Sequence, residues 1–306
     1  MFRRVLAIVA ALGLTLFGLT PASAAPAEPA YDAINLSAAW NKGIKGKGAT
    51  VAIIDQGLNL RHEYFLGQVI DGICVYQVSS GSLCPNGTRY QTGIEAASQR
   101  TINGWLVESE AHGNMVAGIV AGKPNAYAPG GVAPEAKLLM ANVDLTLASI
   151  VESLKYILAN VEKHNIVALS MSFGGWGYEM PRSWLVCDEN PALAELASLL
   201  GQLRAKGVIP FASAGNNPTL DSDLATFPGC LKEAVAIGSV DNKGLIAWYT
   251  TMSTKIELLA PDYPISAGTF GYGTSNGTSA AAPMVAGSFA LLRQAYPNHN
   301  PEHLLD

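Results

Sequence analysis

Short apolar runs alternating with helical patterns constrain this chain more than any other feature. Ala49–Ile54 reads ATVAII, an apolar, β-branched run that stops at Asp55-Gln56-Gly57. That is the pattern of a buried strand followed by a turn. Lys137–Val143, Ile166–Met171, Val208–Ala214 and Ala234–Val240 are similar runs. Between them lie stretches of helical spacing. Ser149 to Glu152 has the layout of a capping box, in which hydroxyl and carboxylate each satisfy a free backbone N–H. Ile150, Leu154, Ile157, Leu158 and Val161 then follow at helical spacing. A second helix is expected from Asn190 as cap, with Pro191 in its first turn, to Lys206-Gly207. Strand, helix, strand in alternation predicts an α/β chain with a central, mostly parallel sheet and helices on both faces. Sites in such sheets form beyond the carboxyl ends of the strands, and Asp55 stands at one such end. Cys74 to Ala111 breaks the pattern. It is rich in Gly, Ser, Thr, Asn and Gln, and reads as an ordered surface insertion.

Length and composition narrow the class. The 306 residues allow one large domain or two small ones. With 14% charged and 49% apolar residues, the chain is no candidate for disorder. Its formal charge is −5 and no Lys/Arg-rich stripe appears, which argues against nucleic acid as a partner. Residues 1–24 combine Arg3 and Arg4, an apolar run from Val5 to Leu19 and the small-residue end Ala22-Ser23-Ala24. This is the three-part layout of a cleaved secretory signal peptide. The run is shorter than the roughly 20 residues of a spanning helix. No later segment is long and apolar enough to span a bilayer. Cleavage after Ala24 leaves 17 Lys and Arg against 24 acids, a formal charge of −7. The product is expected to be secreted: extracellular, at the cell surface or in the periplasm. Export places Cys74, Cys84, Cys187 and Cys230 in an oxidising compartment. Three pairings are open to them. The short loop favours Cys74–Cys84, which leaves Cys187–Cys230. A zinc site is the weaker alternative, since no C-x-x-C spacing exists.

Three segments carry chemistry. Val51 to Gly57 ends on Asp55, His112 opens HGNMVAGI, and Asn276 to Gly287 reads NGTSAAAPMVAG with Ser279 at its start. Each sets one polar residue at the mouth of an apolar element. A serine hydroxyl needs an imidazole to take its proton as it attacks. That imidazole needs a carboxylate to hold its tautomer and stabilise the imidazolium. At a helix start Ser279 also offers its own N–H toward developing negative charge. A fourth segment, Phe211 to Asn217, ends a strand in a paired-Asn turn. There Asn216 can present a side-chain N–H to an oxyanion.

The order Asp, His, Ser with these flanks resembles the subtilisin-like serine proteases, or subtilases. GTSAAAP around Ser279 is similar to the family's GTS-x-x-x-P signature, and Leu169 to Gly175 (LSMSFGG) resembles its substrate-binding strand. The likeness runs from about Tyr31 to Pro301. It implies a three-layer subtilisin-like fold over residues 46–306, after an N-terminal linker or arm at 25–45. It implies a secreted serine endopeptidase acting on proteins or peptides through an acyl-enzyme. Asp55 is then the orienting acid, His112 the general base, Ser279 the nucleophile and Asn216 the oxyanion donor. Ser172, Phe173 and Gly174 form one side of a pocket for the residue before the cut. Ala212, Ser213, Ala214 and Gly215 form the other side, with Thr226 near the floor. No metal or organic cofactor is required for the chemistry. Calcium is common in the family, but Tyr64 stands where a ligand is usual and the acidic cluster is missing near Asp55, so no metal ligand is assigned and structural calcium stays open. Oligomeric state has no signature here.

The chain departs from the family in several places. Gln56 follows the acid where Ser or Thr is usual, and Asn114 and Met115 replace the Thr and His of HGTHVAG. About 20 residues separate Ala24 from Gly46, too few for a folding pro-segment. The sequence stops within an apparent helix start, as a short helix or a fragment would. These departures motivate a rival reading, a degenerate protease fold used for binding or adhesion. Two other motifs are weaker still. Gly273 to Gly277 fits the G-x-S-x-G elbow, but that fold needs an acid and then a histidine downstream of Ser275. His299 to His303 fits H-x-x-E-H, but Pro301 disturbs the helix that must aim both histidines. His62, His164, His299 and His303 are expected to be structural.

Overall fold

Thr50–Asp55 is buried along its entire length and forms the centre of an eight-stranded sheet. The structure, a computed structural model, describes residues 28–77, 81–102, 105–106, 111–174, 187–218, 225–274 and 276–305. The segment at residues 1–24 read as a signal peptide, Gly175, Ser275 and Asp306 lie outside them. The strands in chain order are β1 (Thr50–Asp55), β2 (Val69–Val75), β3 (Tyr90–Thr92), β4 (Thr101–Ile102), β5 (Trp105–Leu106), β6 (Lys137–Val143), β7 (Ile166–Met171), β8 (Ile209–Ser213), β9 (Val235–Val240), β10 (Ile256–Pro261), β11 (Ile265–Ala267) and β12 (Tyr272–Thr274). The main sheet runs β10-β9-β8-β7-β1-β6-β2-β3 and is parallel except at β3. The pairs β4–β5 and β11–β12 form separate antiparallel ribbons.

Helices α1 (Pro29–Ala33), α2 (Leu36–Trp40), α3 (His112–Ala121), α4 (Leu147–His164), α5 (Ala194–Ala205) and α6 (Thr278–Ala295) complete the layers. Side-chain alternation along β1 shows how. Val51 and Ile53 enter one core with α3, α6 and the arm residues Ala30, Tyr31 and Leu36. Ala52 and Ile54 enter a second core with α4 and α5. A strand buried on both faces must be apolar throughout, which is why these runs read as continuous rather than alternating. The expected α/β architecture, a mostly parallel sheet with helices on both faces, is the one observed.

Particular elements differ from the sequence expectation. Helix α4 begins at Leu147, not after Ser149: Thr146 is the cap, and its hydroxyl oxygen accepts from the Ser149 N–H. Glu152 pairs with Lys155 instead of reaching back to a free N–H. Asn190 does cap with Pro191 behind it, but that first turn is a 3₁₀ turn, and α5 proper starts at Ala194. Part of the Cys74–Ala111 insertion is sheet: Cys74 lies on β2, and Tyr90–Thr92 pairs with it as the edge strand. Both disulfides follow the favoured pairing, Cys74–Cys84 and Cys187–Cys230. Residues 28–45 pack onto the domain, with Tyr31 Oη donating to the Gly130 carbonyl and Trp40 Nε1 to the Val132 carbonyl. His164, last in α4, bonds the Asp71 carboxylate of β2 at 2.8 Å, and Tyr156 Oη donates to the same carboxylate. In the H-x-x-E-H segment, Pro301–Leu304 is a 3₁₀ turn whose Glu302 is held by Arg204.

Chain order sets the site. From β1, strands β6 and β2 lie to one side and β7 to β10 to the other. A crevice therefore opens at the carboxyl ends of β1 and β7, where such folds bind ligands. Asp55 ends β1, and Ser172 follows β7 directly.

Candidate active site

Asp55 is 1% exposed, and its carboxylate meets the His112 ring. His112 Nδ1 stands 2.8 Å from Oδ1 and 2.9 Å from Oδ2. Asp55 Oδ1 also accepts from the Gln56 N–H at 2.7 Å. The carboxylate accepts only, so the ring proton is on Nδ1 and the Nε2 lone pair is left outward. The negative charge of Asp55 raises the His112 pKa; burial opposes it, and the hydrogen bond to Asp55 adds to the rise. His112 begins α3, with its side chain 37% exposed, so Nε2 is reachable from the crevice.

The next residue explains how the pair is held. An added Cβ at Gly113 would stand 2.0 Å from the Gln56 carbonyl oxygen, so only a bare backbone lets α3 start against the end of β1. Gly113→Ala is expected to destabilise the fold by about 3 kcal/mol, because backbone, not a movable side chain, is in the way. Urea unfolding in a Ser279→Ala background, where self-digestion is suppressed, measures it.

Asn114 is fully buried and takes up a structural role one residue further on. Its Oδ1 accepts from the Asn59 N–H at 2.7 Å, and its Nδ2 donates to Gln99 Oε1 at 3.1 Å. Gln99 Nε2 reaches Thr269 Oγ1, and Asn59 Nδ2 donates to the Thr269 carbonyl. The departure at this position is thus satisfied at both ends of its amide. Met115 packs partly buried against the first core, and its carbonyl accepts from Ser266 Oγ.

Ser279 is the second residue of α6, which packs against α3. Its hydroxyl donates to the Ser172 carbonyl at 3.0 Å. No hydrogen bond joins it to His112 among the described residues. The hydrogen-bonded line expected from the sequence is therefore complete from Asp55 to His112 and open at the serine. Pro283 lies one turn further on and has no N–H for the Ser279 carbonyl, which removes one rung from the start of the helix.

Asn216 stands beside Ser279. Its Oδ1 accepts from both the N–H and the hydroxyl of Thr278, each at 2.9 Å. This fixes the amide so that Nδ2 faces away from Thr278. Thr278 Oγ1 also accepts from the Gly215 N–H. Thr278 is a positioning residue that sequence reasoning passed over, although it sits inside the GTS segment.

A cavity of ≈ 340 Å³ joins Ser279 and Asn216 to Gly174, Gly215 and Thr226. Thr226 is the floor. A Cβ at Gly174 would lie 2.7 Å from Thr226 Oγ1, and one at Gly215, where φ is +110°, 2.4 Å from Thr226 Cγ2. Four expected lining residues are elsewhere. Phe173 turns into the second core, its ring 6.4 Å from that of Phe227. Ala212 and Ala214 are wholly buried, Ala212 within the second core. Ser172 is 1% exposed and meets Ser279 only through its carbonyl. Apolar residues at strand ends turn inward when the sheet is covered on both faces, and the sequence does not tell which way they turn. Ser213, on the expected side, lines the cavity, as does Asn217, which the sequence reading left out.

Tyr64, at the expected cation-ligand position, is fully buried among His62, Phe65 and Tyr272. Calcium takes several carboxylate and carbonyl oxygens. A phenol inside a ring cluster does not fit that role. No group of three or more His, Cys, Asp or Glu side chains suited to a metal occurs among the described residues.

Comparison with known proteins places the chain in a family. A family model described as the Subtilase family matches residues 46–305. The "Major intracellular serine protease" of Bacillus subtilis is 28% identical over 264 residues, covering 83% of this chain and 71% of that one. The "Minor extracellular protease Epr" of the same species is 26% identical over 271 residues, covering 86% of this chain and 35% of that one. Among solved structures, a protease from Pseudoalteromonas arctica superposes with a TM-score of 0.70 at 24% identity, covering 89% of this chain and 84% of that one. At that identity the superposition speaks for the fold.

Proposed function

The chain belongs to the subtilase family of serine endopeptidases, and we propose that Asp55, His112 and Ser279 are its catalytic triad. The observation that carries this reading is the contact of His112 Nδ1 with both Asp55 carboxylate oxygens at the opening of α3, with Ser279 at the opening of α6, the helix that α3 packs against. A turn about the Ser279 Cα–Cβ bond releases the hydroxyl from the Ser172 carbonyl toward Nε2. The hydroxyl attacks the scissile carbonyl while His112 takes its proton. Asp55 holds the tautomer and stabilises the imidazolium. Asn216 Nδ2 and the Ser279 N–H receive the oxyanion. His112 returns the proton to the leaving amine, and water then hydrolyses the acyl-enzyme by the same route. Side chains and backbone supply every step, so the chemistry needs no cofactor. The residue before the cut occupies the cavity over Thr226, between Gly174 and Gly215.

A fluorophosphonate separates this reading from a non-catalytic binding module. We expect a stoichiometric adduct on Ser279. A native chain that takes up no label would sink the triad. Asn216→Ala is expected to lower kcat by about a hundred- to a thousandfold with little change in KM, the magnitude known for the corresponding donor in subtilisin, a relative. Steady-state kinetics on a peptide substrate measure it.

Export belongs to the same proposal. The three-part segment at residues 1–24 and the two disulfides support it. The named relatives include an intracellular and an extracellular protease. No helix among the described residues is long and apolar enough to cross a membrane.

A further inference from the structure

A second cavity, ≈ 480 Å³, adjoins the turn that leads into α6, where Thr274 and Asn276 reach its wall. Its other notable walls are three aromatic rings, Trp248, Tyr249 and Tyr263, and three acids, Glu28, Asp241 and Asp262. Among the described residues, no lysine or arginine lines it. Glu28 is 6% exposed and Asp262 2%. Glu28 accepts from the Ile265 N–H at 2.7 Å and from the Ala30 N–H. Asp262 Oδ2 accepts from the Gly277 N–H at 3.2 Å, a donor shared with Tyr249 Oη at 3.0 Å. None of the three acids makes an ion pair with a described residue.

Two carboxylates nine-tenths buried without a cation opposite are costly to keep charged. Burial pushes both of their pKa values up, against the backbone N–H groups that hold them down. Trp248 adds an independent observation. It is 82% exposed, edge-on to Tyr249 at 5.6 Å, and has no part in either core. An indole face beside carboxylates is a place for a cation, with aromatic walls to cover an alkyl stem. The cavity is also tied to the nucleophile's own turn, since Gly277 bonds its wall two residues before Ser279.

We propose that this cavity is a subsite for a basic side chain, lysine or arginine, of the peptide on which Ser279 acts. The proposal rests on the triad reading above. The stem lies along Trp248 and Tyr263, and the ammonium or guanidinium sits among Glu28, Asp241 and Asp262. With the first cavity given to the residue before the cut, we assign the second, which adjoins the Asn276–Gly277 approach to Ser279, to one of the two residues after it. The formal charge of −7 on residues 25–306 favours the approach of such peptides.

The test pairs peptides that differ at one position after the cut, lysine against norleucine. The readout is the ratio of their kcat/KM values within each protein, so a general loss of activity cancels. In the native chain the lysine peptide is expected to win by about tenfold at one of the two positions. In Glu28→Gln/Asp241→Asn the ratio falls toward one. Asp241→Asn alone, a change at a partly exposed turn, gives an intermediate ratio should the double variant fold poorly. A native ratio near one at both positions, or a ratio the variants leave unmoved, overturns the subsite. If neither peptide is cleaved, the triad reading has failed. Calorimetry on the Ser279→Ala chain then decides the cavity by itself, with N-acetyl-lysinamide against N-acetyl-norleucinamide. Tighter binding of the lysine amide, lost in the acid variants, supports the site, and equal binding of the two overturns it.

Discussion

Ser279→Ala is expected to lower kcat on a peptide substrate by about a millionfold and to abolish fluorophosphonate labelling, with KM nearly unchanged. The size is the loss known for the equivalent serine of subtilisin, a member of the same family, and is carried over from it. The reason for so large an effect is that alanine removes the only atom that forms the covalent intermediate. His112 then has no proton to take. What survives is binding in the cavity over Thr226 and the oxyanion donors, Asn216 Nδ2 and the residue 279 N–H, which a side-chain change leaves in place. The residual rate is therefore above that of water alone. The fold should tolerate the change, because the Ser279 hydroxyl bonds only the Ser172 carbonyl, at the half-exposed mouth of α6. Unfolding midpoints within about 0.5 kcal/mol of the native chain's would confirm that the loss is chemical. Hydrolysis at the native rate would end the assignment.

The sheet was legible where burial on both faces forces an unbroken apolar run. Lys137–Val143 and Ile166–Met171 are strands over the residues that pattern predicts. Strand β2 escaped notice because Asp71-Gly72 interrupts VIDGICV, and a buried aspartate there makes sense only once His164 and Tyr156 are seen to meet it. Strand β10 escaped because IELLAP is half exposed at the sheet edge. The start of α4 was misplaced because Thr146 and Ser149 are both good caps, and which one serves depends on where β6 delivers the chain.

The site divides in the same way. Asp55, His112, Ser279 and Asn216 stand at element ends with glycines or small residues behind them, and a local pattern announces them. Gly174, Gly215 and Thr226 line one cavity. Phe173 and Ala214 do not, because the direction of a side chain at a strand end is decided by packing across the sheet. The Asn114–Gln99–Thr269 network joins residues far apart in the chain, and nothing in any one segment marks it. The acidic cavity is of the same kind: Glu28 and Pro29 come from the N-terminal arm, and the other walls lie more than 200 residues later.

Asp55→Asn is expected to reduce kcat by about ten-thousandfold and to move the acid limb of the pH profile downward. Both effects follow from the contact at His112 Nδ1. An asparagine offers one acceptor and one donor, so its amide can stabilise the tautomer with the proton on Nε2, which cannot take the serine proton. The loss should persist on the alkaline plateau, where the native ring is neutral as well. The shift of the limb has a separate cause. The charge of Asp55 is the largest influence raising the His112 pKa, and burial works against it. Without that charge burial prevails, the ring loses its proton at lower pH, and what activity remains appears earlier on an acid-to-alkaline titration. Stability follows with the opposite sense. A histidine whose pKa is raised by folding stabilises the native state below its unfolded value, about 6.5, and that contribution is lost as pH rises through the folded value. Denaturation in the Ser279→Ala background should therefore show the native Asp55 favoured over asparagine more strongly near pH 6 than at pH 9. A plateau kcat within tenfold of the native enzyme, or an acid limb that does not move, would mean that Asp55 neither orients nor charges His112.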